Sequence, residues 1–275
     1  MTNRLLVHLV GAVLAVAITL TTLATPASAQ ATKPAPAAED PHAKAVADVV
    51  LANHILADQG VVDGFGHVSI RDPADPNKFL LARSMAPELV TPADVLEHDL
   101  DGNTTAPAAT KLYLERFIHA EIYRARPDVL AIVHCHSPSL IPFAATGLAL
   151  KPIYHMSSFL GSGVPVFEIH KAANGSTDML VRSPELGRAL AKSLGAHVAV
   201  LMRGHGAVIV GKDVQQAVFR AVYTQMNAQL QTQAMGLGAK VTYLDAEEAK
   251  KSEETNSALV SRSWELWTRK AKQQK

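Results

Sequence analysis

The chain has a single cysteine, Cys135, among its 275 residues, and this scarcity excludes an intrachain disulfide framework. An excess of either charge is also missing, because 26 lysines and arginines balance 25 acidic residues for a formal net charge of +1. Without a dense basic stretch the sequence does not predict nucleic-acid binding. We find no internal repeat. From about residue 41 onward the chain is long enough for one domain with a sizeable core.

The amino terminus differs in composition from the rest of the chain. A short positive start precedes a largely apolar stretch at 5–23 and an Ala-x-Ala pattern, which a signal peptidase reads. Residues 1–29 are therefore predicted to be a cleaved secretory signal, with an uncleaved membrane anchor as the alternative. Residues 30–40 form a Pro/Ala-rich tether. The prediction places the mature protein in a bacterial periplasm, with no stable membrane association.

Two histidines stand at the end of an apolar run that is typical of a buried strand. Side chains alternate along a strand, so His134 and His136 project to one face and Cys135 to the other, where it is read as a core residue. Neutral imidazole is a frequent ligand of first-row metal ions, and a catalytic metal site usually needs three protein ligands. The alternative is a pair of pocket histidines satisfied by hydrogen bonds.

Short strands alternate with helical patterns along the chain, which is typical of a sheet layered with helices. The spacing of apolar residues predicts helices over 41–59, 110–126, 186–194, 213–235 and 253–272. Further strands are predicted at 64–71, 79–82, 95–100, 165–169, 198–202 and 207–210. On the second helix Glu115 and His119 lie one above the other. The last two strands resemble a hairpin whose tip carries His205, and Trp264 with Trp267 forms a packing patch within or between subunits.

If His205 converges with His134 and His136, the three form a metal centre with open positions, as expected of a catalytic ion. Glu115 is then a candidate general acid or base, or a fourth ligand, whereas a solvated surface glutamate is the alternative. Such an ion polarises a carbonyl and stabilises an enolate. This chemistry makes or breaks carbon–carbon bonds next to a carbonyl.

Four ordered motifs resemble those of the class II aldolase/adducin family over about residues 41–244. They are Gly66 to Arg71, Glu115 with His119, His134-Cys-His136, and Arg203 to Gly206. The resemblance implies an α/β fold, a three-layer α/β/α sandwich around a mostly antiparallel or mixed sheet, over 41–250. Residues 251–275 are expected to add a C-terminal helix that packs on the core or on another subunit.

The same resemblance implies a homotetramer with active sites at subunit interfaces. It also implies a divalent ion on His134, His136 and His205. Zinc is the expected ion, with manganese, cobalt or iron(II) as alternatives. Glu115 matches the acid/base glutamate of the family's fuculose-phosphate aldolases.

Several residues depart from the pattern of the sugar-phosphate aldolases. His67 stands where those enzymes have an asparagine that helps to hold the phosphate, and a different loop begins at Arg83. Arg83 and Ser84 are therefore predicted to hold a carboxylate, with a surface arginine as the alternative. His155 aligns with a tyrosine that protonates the carbanion, a task that histidine also suits. These features resemble the decarboxylase-like branch, which includes enzymes of hydroxylated aromatic acids.

The sequence thus predicts a metal-dependent carbon–carbon lyase, a decarboxylase or an aldolase. Its substrate would be a small non-phosphorylated hydroxy- or oxo-carboxylate, cleaved through a metal-stabilised enolate. The catalytic residues would be Glu115 and His155, and the substrate-binding residues Arg83, Ser84 and His67. A non-haem iron oxygenase on the same histidines is one alternative. An adducin-like interaction module without catalysis is another.

Overall fold

A seven-stranded sheet forms the middle layer of the computed structural model, which describes residues 40–273. The strands are β1 (His67–Arg71), β2 (Lys78–Ala82), β3 (Val95–Asp99), β4 (Ala131–Cys135), β5 (Val166–Phe167), β6 (Ala199–Met202) and β7 (Gly206–Gly211). Their order across the sheet is β3-β2-β1-β4-β7-β6-β5. Neighbouring strands are antiparallel except β5 and β6, which are parallel. The sheet is therefore mixed and mostly antiparallel, as the sequence predicted.

Between residues 40 and 273, eight α-helices surround the sheet. They are α1 (Pro41–Asp58), α2 (Arg116–Ala125), α3 (Ile141–Thr146), α4 (Ile169–Ala172), α5 (Pro184–Leu194), α6 (Val214–Gly236), α7 (Ala246–Ser257) and α8 (Val260–Gln273). Short 3₁₀ helices lie at Pro87–Leu89, Pro92–Asp94 and His155–Ser162. None of the helices between residues 40 and 273 is long and apolar enough to cross a membrane. The predicted signal, 1–29, and residues 30–39 of the predicted tether lie outside the described residues.

The alternation of side chains along β4 separates two hydrophobic cores. Ala131, Val133 and Cys135 face a core that α1, α3, α6 and α8 cover. Ile132 faces a second core, which is covered by α2 and α5. The sheet therefore has helices on both faces, and the predicted α/β/α sandwich is confirmed. His134 lies on the face of β4 that α2 covers.

The first helix shows how local sequence sets an element boundary. Asp40 is the N-cap of α1, its side chain accepts a hydrogen bond from the backbone N–H of His42, and Pro41 occupies the first turn. A proline is tolerated there because its missing N–H would have no partner inside the helix. The helix stops just before Gly60, which has a φ of +64°. The predicted helix at 41–59 is confirmed.

The helix predicted over 110–126 is shorter than expected, because α2 begins at Arg116. The backbone N–H of Ser84 donates to the carbonyl oxygen of Lys111 at 2.8 Å, so this stretch is held in an extended path beside another loop. Glu115 is the N-cap residue of α2, with φ −90° and ψ 17°. It therefore does not stack on His119 within a continuous helix, as the sequence suggested.

The carboxyl-terminal helix predicted over 253–272 is two helices, α7 and α8. Asp245 and Glu248 form a capping box that starts α7 earlier than expected. The amide of Asn256 donates to the backbone oxygen of His155 at 2.7 Å where α7 ends. Trp267 is buried on α8 and lies 6.3 Å from the ring of Tyr223 on α6. This tryptophan therefore packs within the chain.

Candidate metal centre

The predicted metal ligands lie at or near the ends of three neighbouring strands, where those ends meet. His134 is the fourth residue of β4, His136 directly follows that strand, and His205 lies in the turn between β6 and β7. Since β7 pairs with β4, with Ala207 opposite Cys135, the turn comes to lie beside the end of β4. The predicted hairpin is thus confirmed, and its tip reaches the two histidines.

Gly206 makes this approach possible. A Cβ atom at that position would lie 2.0 Å from the carbonyl oxygen of Cys135 and 3.0 Å from the Cα of His136. Only a residue without a side chain lets the two backbones come so close. The glycine that follows His205 is therefore required to bring the hairpin against β4.

The side-chain nitrogens of the three histidines meet at one point. The Nε2 atom of His136 lies 3.0 Å from the Nε2 of His134 and 3.0 Å from the Nε2 of His205. The Oε2 atom of Glu115 lies 3.3 Å from the Nε2 of His134 and of His205. The structure therefore gathers all four residues into one candidate site.

Backbone carbonyl groups orient two of these imidazole rings. The Nδ1 of His134 lies 3.1 Å from the oxygen of Ala207, and the Nδ1 of His205 lies 2.8 Å from the oxygen of Met179. A carbonyl oxygen can only accept, so each Nδ1 carries the proton and each Nε2 presents a lone pair to the site. This tautomer is the one that binds a metal through Nε2, and such supporting bonds are typical of metal-ligating histidines.

Glu115 is held in place by the main chain on its other side. Its Oε1 atom accepts a hydrogen bond from the backbone N–H of Val181 at 2.9 Å. Burial raises the pKa of Glu115, but the nearby His134 and His205 outweigh burial and bring the pKa below its ordinary value. The residue is therefore a carboxylate at neutral pH. A buried carboxylate needs a positive partner, which protons on the imidazoles or a divalent cation can supply.

The pKa values of the other groups agree with this arrangement. Burial, followed by the neighbouring His134 and His205, lowers the pKa of His136 to about 4, so its ring is neutral at pH 7. Burial lowers the pKa of His205, but the effect of Glu115, which raises that pKa, is larger than the effect of burial. The pKa of His205 therefore lies above its ordinary value. Burial raises the pKa of Cys135 to about 11. The cysteine is therefore a neutral core thiol, as predicted, and no nucleophile.

The donor set fits a tetrahedral ion of the size of zinc. At Zn–N distances of about 2.0–2.1 Å, a tetrahedral ion separates its ligand atoms by about 3.3 Å. The observed separations of 3.0 and 3.3 Å are close to this value. Three imidazoles and one carboxylate are also the ligand types that zinc and other first-row divalent ions prefer. The residues present therefore fit the predicted divalent metal.

Comparison with known proteins agrees with the fold and the motifs. The family model described as "Class II Aldolase and Adducin N-terminal domain" matches residues 47–232. The chain belongs to the class II aldolase/adducin family. A relative named decarboxylase tropJ, from Talaromyces stipitatus, is 37% identical over 78% of this chain and 90% of its own.

Two more comparisons agree, one with a relative in sequence and one with a solved structure in fold. A 3,4-dihydroxyphthalate decarboxylase from Arthrobacter keyseri is 31% identical over 72% of this chain and 81% of its own. The solved structure of an L-fuculose 1-phosphate aldolase from Glaciozyma antarctica superposes with a TM-score of 0.70. It is 22% identical and covers 86% of this chain and 93% of the aldolase, so this likeness concerns the fold.

A pocket of about 290 Å³ opens beside the candidate metal centre. The residues that line it are Gly64, Phe65, Gly66, His67, Ser84, Met85, Ala86, Tyr113, Leu114, Glu115, His136 and Leu180. Four of the residues predicted from the sequence thus meet at this pocket: His67, Ser84, Glu115 and His136. The structure places two of the three predicted substrate-binding residues, His67 and Ser84, beside the candidate metal centre.

Two predicted site residues lie elsewhere within the described chain. Arg83 donates from Nε to the Oδ1 of Asp94 at 2.7 Å, and it does not belong to the residues that line the pocket. His155 is exposed and packs edge-on against Tyr154, with ring centroids 5.2 Å apart. Their roles stay predictions. For His155 that role needs a second copy of the chain, as the expected sites at subunit interfaces would provide.

Sequence analysis did not identify the segment at Met179 and Val181, whose main chain orients two residues of the site. Met179 has a φ of +68°, which is uncommon for a residue with a side chain, and its carbonyl oxygen accepts from His205. Two residues later, the N–H of Val181 donates to Glu115. Both contacts use main-chain atoms that every residue type has, so no pattern of residues could have revealed them. Tyr113, whose ring lies 4.4 Å from that of His67, was missed for another reason, since it was placed on a helix.

A second group of possible metal ligands lies away from the carboxyl end of β4, in another part of the sheet. His42, Asp72 and Glu97 bring ligand atoms together. Glu97, however, is paired with Lys78 at 2.7 Å, and the Oδ2 of Asp72 lies 3.1 Å from the Nδ1 of His42. These side chains already have partners in one another or in Lys78. The three-histidine centre is therefore the stronger candidate.

Proposed function

We propose that the protein is a metal-dependent carbon–carbon lyase that decarboxylates a hydroxylated aromatic carboxylate. The observation that carries this proposal is the convergence of three Nε2 atoms and the Glu115 carboxylate at the edge of a 290 Å³ pocket. A divalent ion bound there supplies a Lewis acid, which stabilises negative charge on a substrate oxygen next to the scissile bond. The chain's own residues hold that substrate and handle its protons.

The lining of the pocket supports an aromatic substrate. Phe65, Tyr113, Leu114 and Leu180 offer apolar surface, and Phe65 is stacked on His136 at a centroid distance of 6.1 Å. No lysine or arginine occurs among the residues that line it within 40–273. A phosphate group would lack the cationic partner that it usually receives in a protein. A flat ring with hydroxyl and carboxylate groups matches this surface better than a sugar phosphate does.

Glu115 is the residue placed to move a proton. Its Oε1 is fixed by Val181, while its Oε2 faces the histidines and the residue lines the pocket. The carboxylate can take the proton of a substrate hydroxyl group, and after carbon dioxide leaves it can deliver that proton to the ring carbon. Ser84, also in the wall, offers a hydroxyl group to the substrate. The names of the two relatives, both decarboxylases, support the same reaction class.

The proposal is tested by the release of carbon dioxide from a panel of carboxylates. We expect the protein loaded with zinc, manganese, cobalt or iron(II) to decarboxylate dihydroxyphthalate or a dihydroxybenzoate, and to leave fuculose 1-phosphate intact. Glu115→Gln, which retains the bond from Val181, should lower turnover by at least about 100-fold. Glu185→Gln, a change at an exposed residue of α5, is the matched control. No release from any carboxylate with any of the four ions would refute the proposal.

Running the same assay under air and under nitrogen separates the lyase from the oxygenase alternative, since a lyase needs no oxygen. The interaction-module alternative predicts no turnover in either atmosphere. The complete set of ligands speaks against that alternative, because a module without catalysis gains nothing from three convergent histidines and a buried carboxylate. We further propose that the mature protein is exported and works as a homotetramer.

A further inference from the structure

A chain of hydrogen bonds runs from the pocket into the core beneath it. The Nδ1 of His67 lies 2.7 Å from the Nε2 of His119, and the Nδ1 of His119 lies 2.6 Å from the Oγ of Ser69. That Oγ lies 2.8 Å from the hydroxyl of Tyr123. All four side chains are buried, and His119 and Ser69 have no exposed surface at all. The proposed lyase mechanism uses none of the three inner residues.

Tyr123, at the inner end of this chain, determines which partner is the donor in each of its hydrogen bonds. Burial raises the pKa of Tyr123, so the phenol keeps its proton. In residues 40–273 the only hydrogen-bond partner of its hydroxyl group is Ser69. A buried hydroxyl proton without an acceptor is unfavourable, so Tyr123 donates to Ser69.

The remaining protons follow from this first step. Ser69 accepts from Tyr123, and its own proton therefore goes to the Nδ1 of His119. The proton of the neutral His119 ring is then on Nε2, which donates to the Nδ1 of His67. The proton of His67 must consequently be on its Nε2. Every other arrangement leaves one buried O–H proton without an acceptor.

We propose that Tyr123, Ser69 and His119 fix His67 as an Nε2–H donor in the metal pocket, where it binds an oxygen of the substrate that carries negative charge. The inference rests on the proposed function and adds a specific role for His67. The ring of His67 lies 5.0 Å from that of His134 and belongs to the wall of the pocket. A neutral N–H beside the ligands favours an anionic oxygen, such as that of a carboxylate or phenolate, over a cationic group.

In this assignment His67 contacts the substrate, and the three inner residues are positioning residues. His119 determines which nitrogen of His67 carries the proton. Without that bond the His67 ring is free to present a lone pair, which would repel an anionic oxygen. The expected consequence is a change in binding and turnover with no change in the metal ligands.

The first test measures the tautomer directly and needs no substrate. Solid-state ¹⁵N NMR of the zinc-loaded protein, labelled at histidine and assigned with a His67→Asn variant, shows which ring nitrogen bears the proton. We expect a neutral His67 with its proton on Nε2. A proton on Nδ1 overturns the proposal, whatever the protein catalyses. Conversely, the expected tautomer in a protein without lyase activity would refute the proposed function alone.

The second test compares two variants of His119. His119→Gln keeps an amide N–H within reach of the Nδ1 of His67, whereas His119→Asn keeps a polar group for Ser69 and does not reach His67. With 2-hydroxybenzoate as the probe and the zinc content unchanged, we expect about tenfold weaker binding for the asparagine variant and less than about threefold for the glutamine variant. Calorimetry measures both.

Equal losses in the two variants would mean that His119 acts only through packing, and they would overturn the proposal. If either variant does not fold, Ser69→Ala provides the decisive measurement. This change removes the group that orients His119 while leaving both rings in place. We expect the NMR signal of His67 then to show both tautomers, and a signal unchanged from that of the unaltered protein contradicts the inference.

Discussion

His136 is a proposed metal ligand that stays partly exposed, since it lies in the pocket wall under Phe65. His134, by contrast, has no exposed surface, so its replacement would also open a cavity in the core. A change at His136 therefore reports on the metal with the least effect on folding. The three proposed ligands are all imidazoles, but they differ in how far each side chain is buried in the core.

We predict that His136→Ala loses its zinc on dialysis against buffer without metal. Replacement of a group that merely supports a metal ligand lowers affinity by about 10–100-fold, and removal of a ligand should exceed that. The metal content is measured by mass spectrometry of the acid-digested protein. His170→Ala, at an exposed histidine of α4, serves as the matched control and should keep about one zinc per chain, as the unaltered protein does. Retention of zinc by the His136 variant would show that the ion is bound elsewhere.

At the same scale, the sequence predicted which histidines converge better than it predicted their surroundings. His134 and His136 were found because strand alternation fixes which residues share a face, and His205 because its glycine neighbours mark a close approach. The carbonyl of Met179 and the N–H of Val181 could not be found, because every residue type supplies those groups. Arg83 was assigned to the substrate on its chemistry alone, and the sequence could not show its bond to Asp94.

The hairpin of β6 and β7 is the element on which the site depends most directly. It brings His205 to the end of β4, and Gly206 is the point at which the two backbones touch. The hairpin was predictable from its two apolar strands and glycine-rich tip. The pairing of this hairpin with β4 was not predictable from the local pattern of residues, because β7 and β4 are distant in sequence.

We predict that Gly206→Ala destabilises the protein by about 1–3 kcal/mol or more, because the new methyl group overlaps the carbonyl of Cys135. The hairpin must move away from β4, so zinc binding should weaken as well. Urea unfolding of the metal-free protein measures the first effect. Gly236→Ala is the matched control, since a Cβ there meets nothing within 4 Å and alanine favours a helix by up to about 1 kcal/mol. Equal stability of the two variants would contradict the tight contact.

The start of α2 shows a second limit at this scale. Apolar spacing predicted a helix from residue 110, and the helix begins at Arg116. The tertiary bond between Ser84 and Lys111 prevails over the helical pattern, and it leaves Tyr113 and Glu115 at the pocket. Helical periodicity reports which face of a segment is apolar, but a competing loop decides where the helix can start.

On the scale of the whole molecule, the antiparallel sheet collects ligands that are distant in sequence. The central position of β4, between β1 and β7, places His67 on one side of His134 and the hairpin on the other. The layered α/β/α architecture was predictable from alternating strands and helices together with the resemblance. The strand order was not, because it depends on contacts among residues separated by the length of the domain.

Several large apolar side chains are exposed around the pocket in the single chain. Phe65 is 68% exposed, Leu114 is 54% exposed, and Leu89 is 66% exposed on the 3₁₀ helix that follows the pocket residue Ala86. Large exposed apolar side chains grouped near a pocket typically mark a surface that another protein covers. The expected homotetramer with sites between subunits would cover it, and His155, which does not line the pocket of its own chain, could act only from a neighbouring copy.

We therefore predict that the protein has the mass of a tetramer in solution, as measured by light scattering during gel filtration. Leu89→Glu should shift the mass toward smaller species, because a charge among these apolar side chains must be desolvated on assembly. Leu237→Glu, at a leucine that is 83% exposed at the end of α6, should leave the mass unchanged. If the unaltered protein is a monomer and still turns over substrate, the site is complete within one chain. His155 then has no part in catalysis, and Glu115 is left to deliver the proton to the ring carbon.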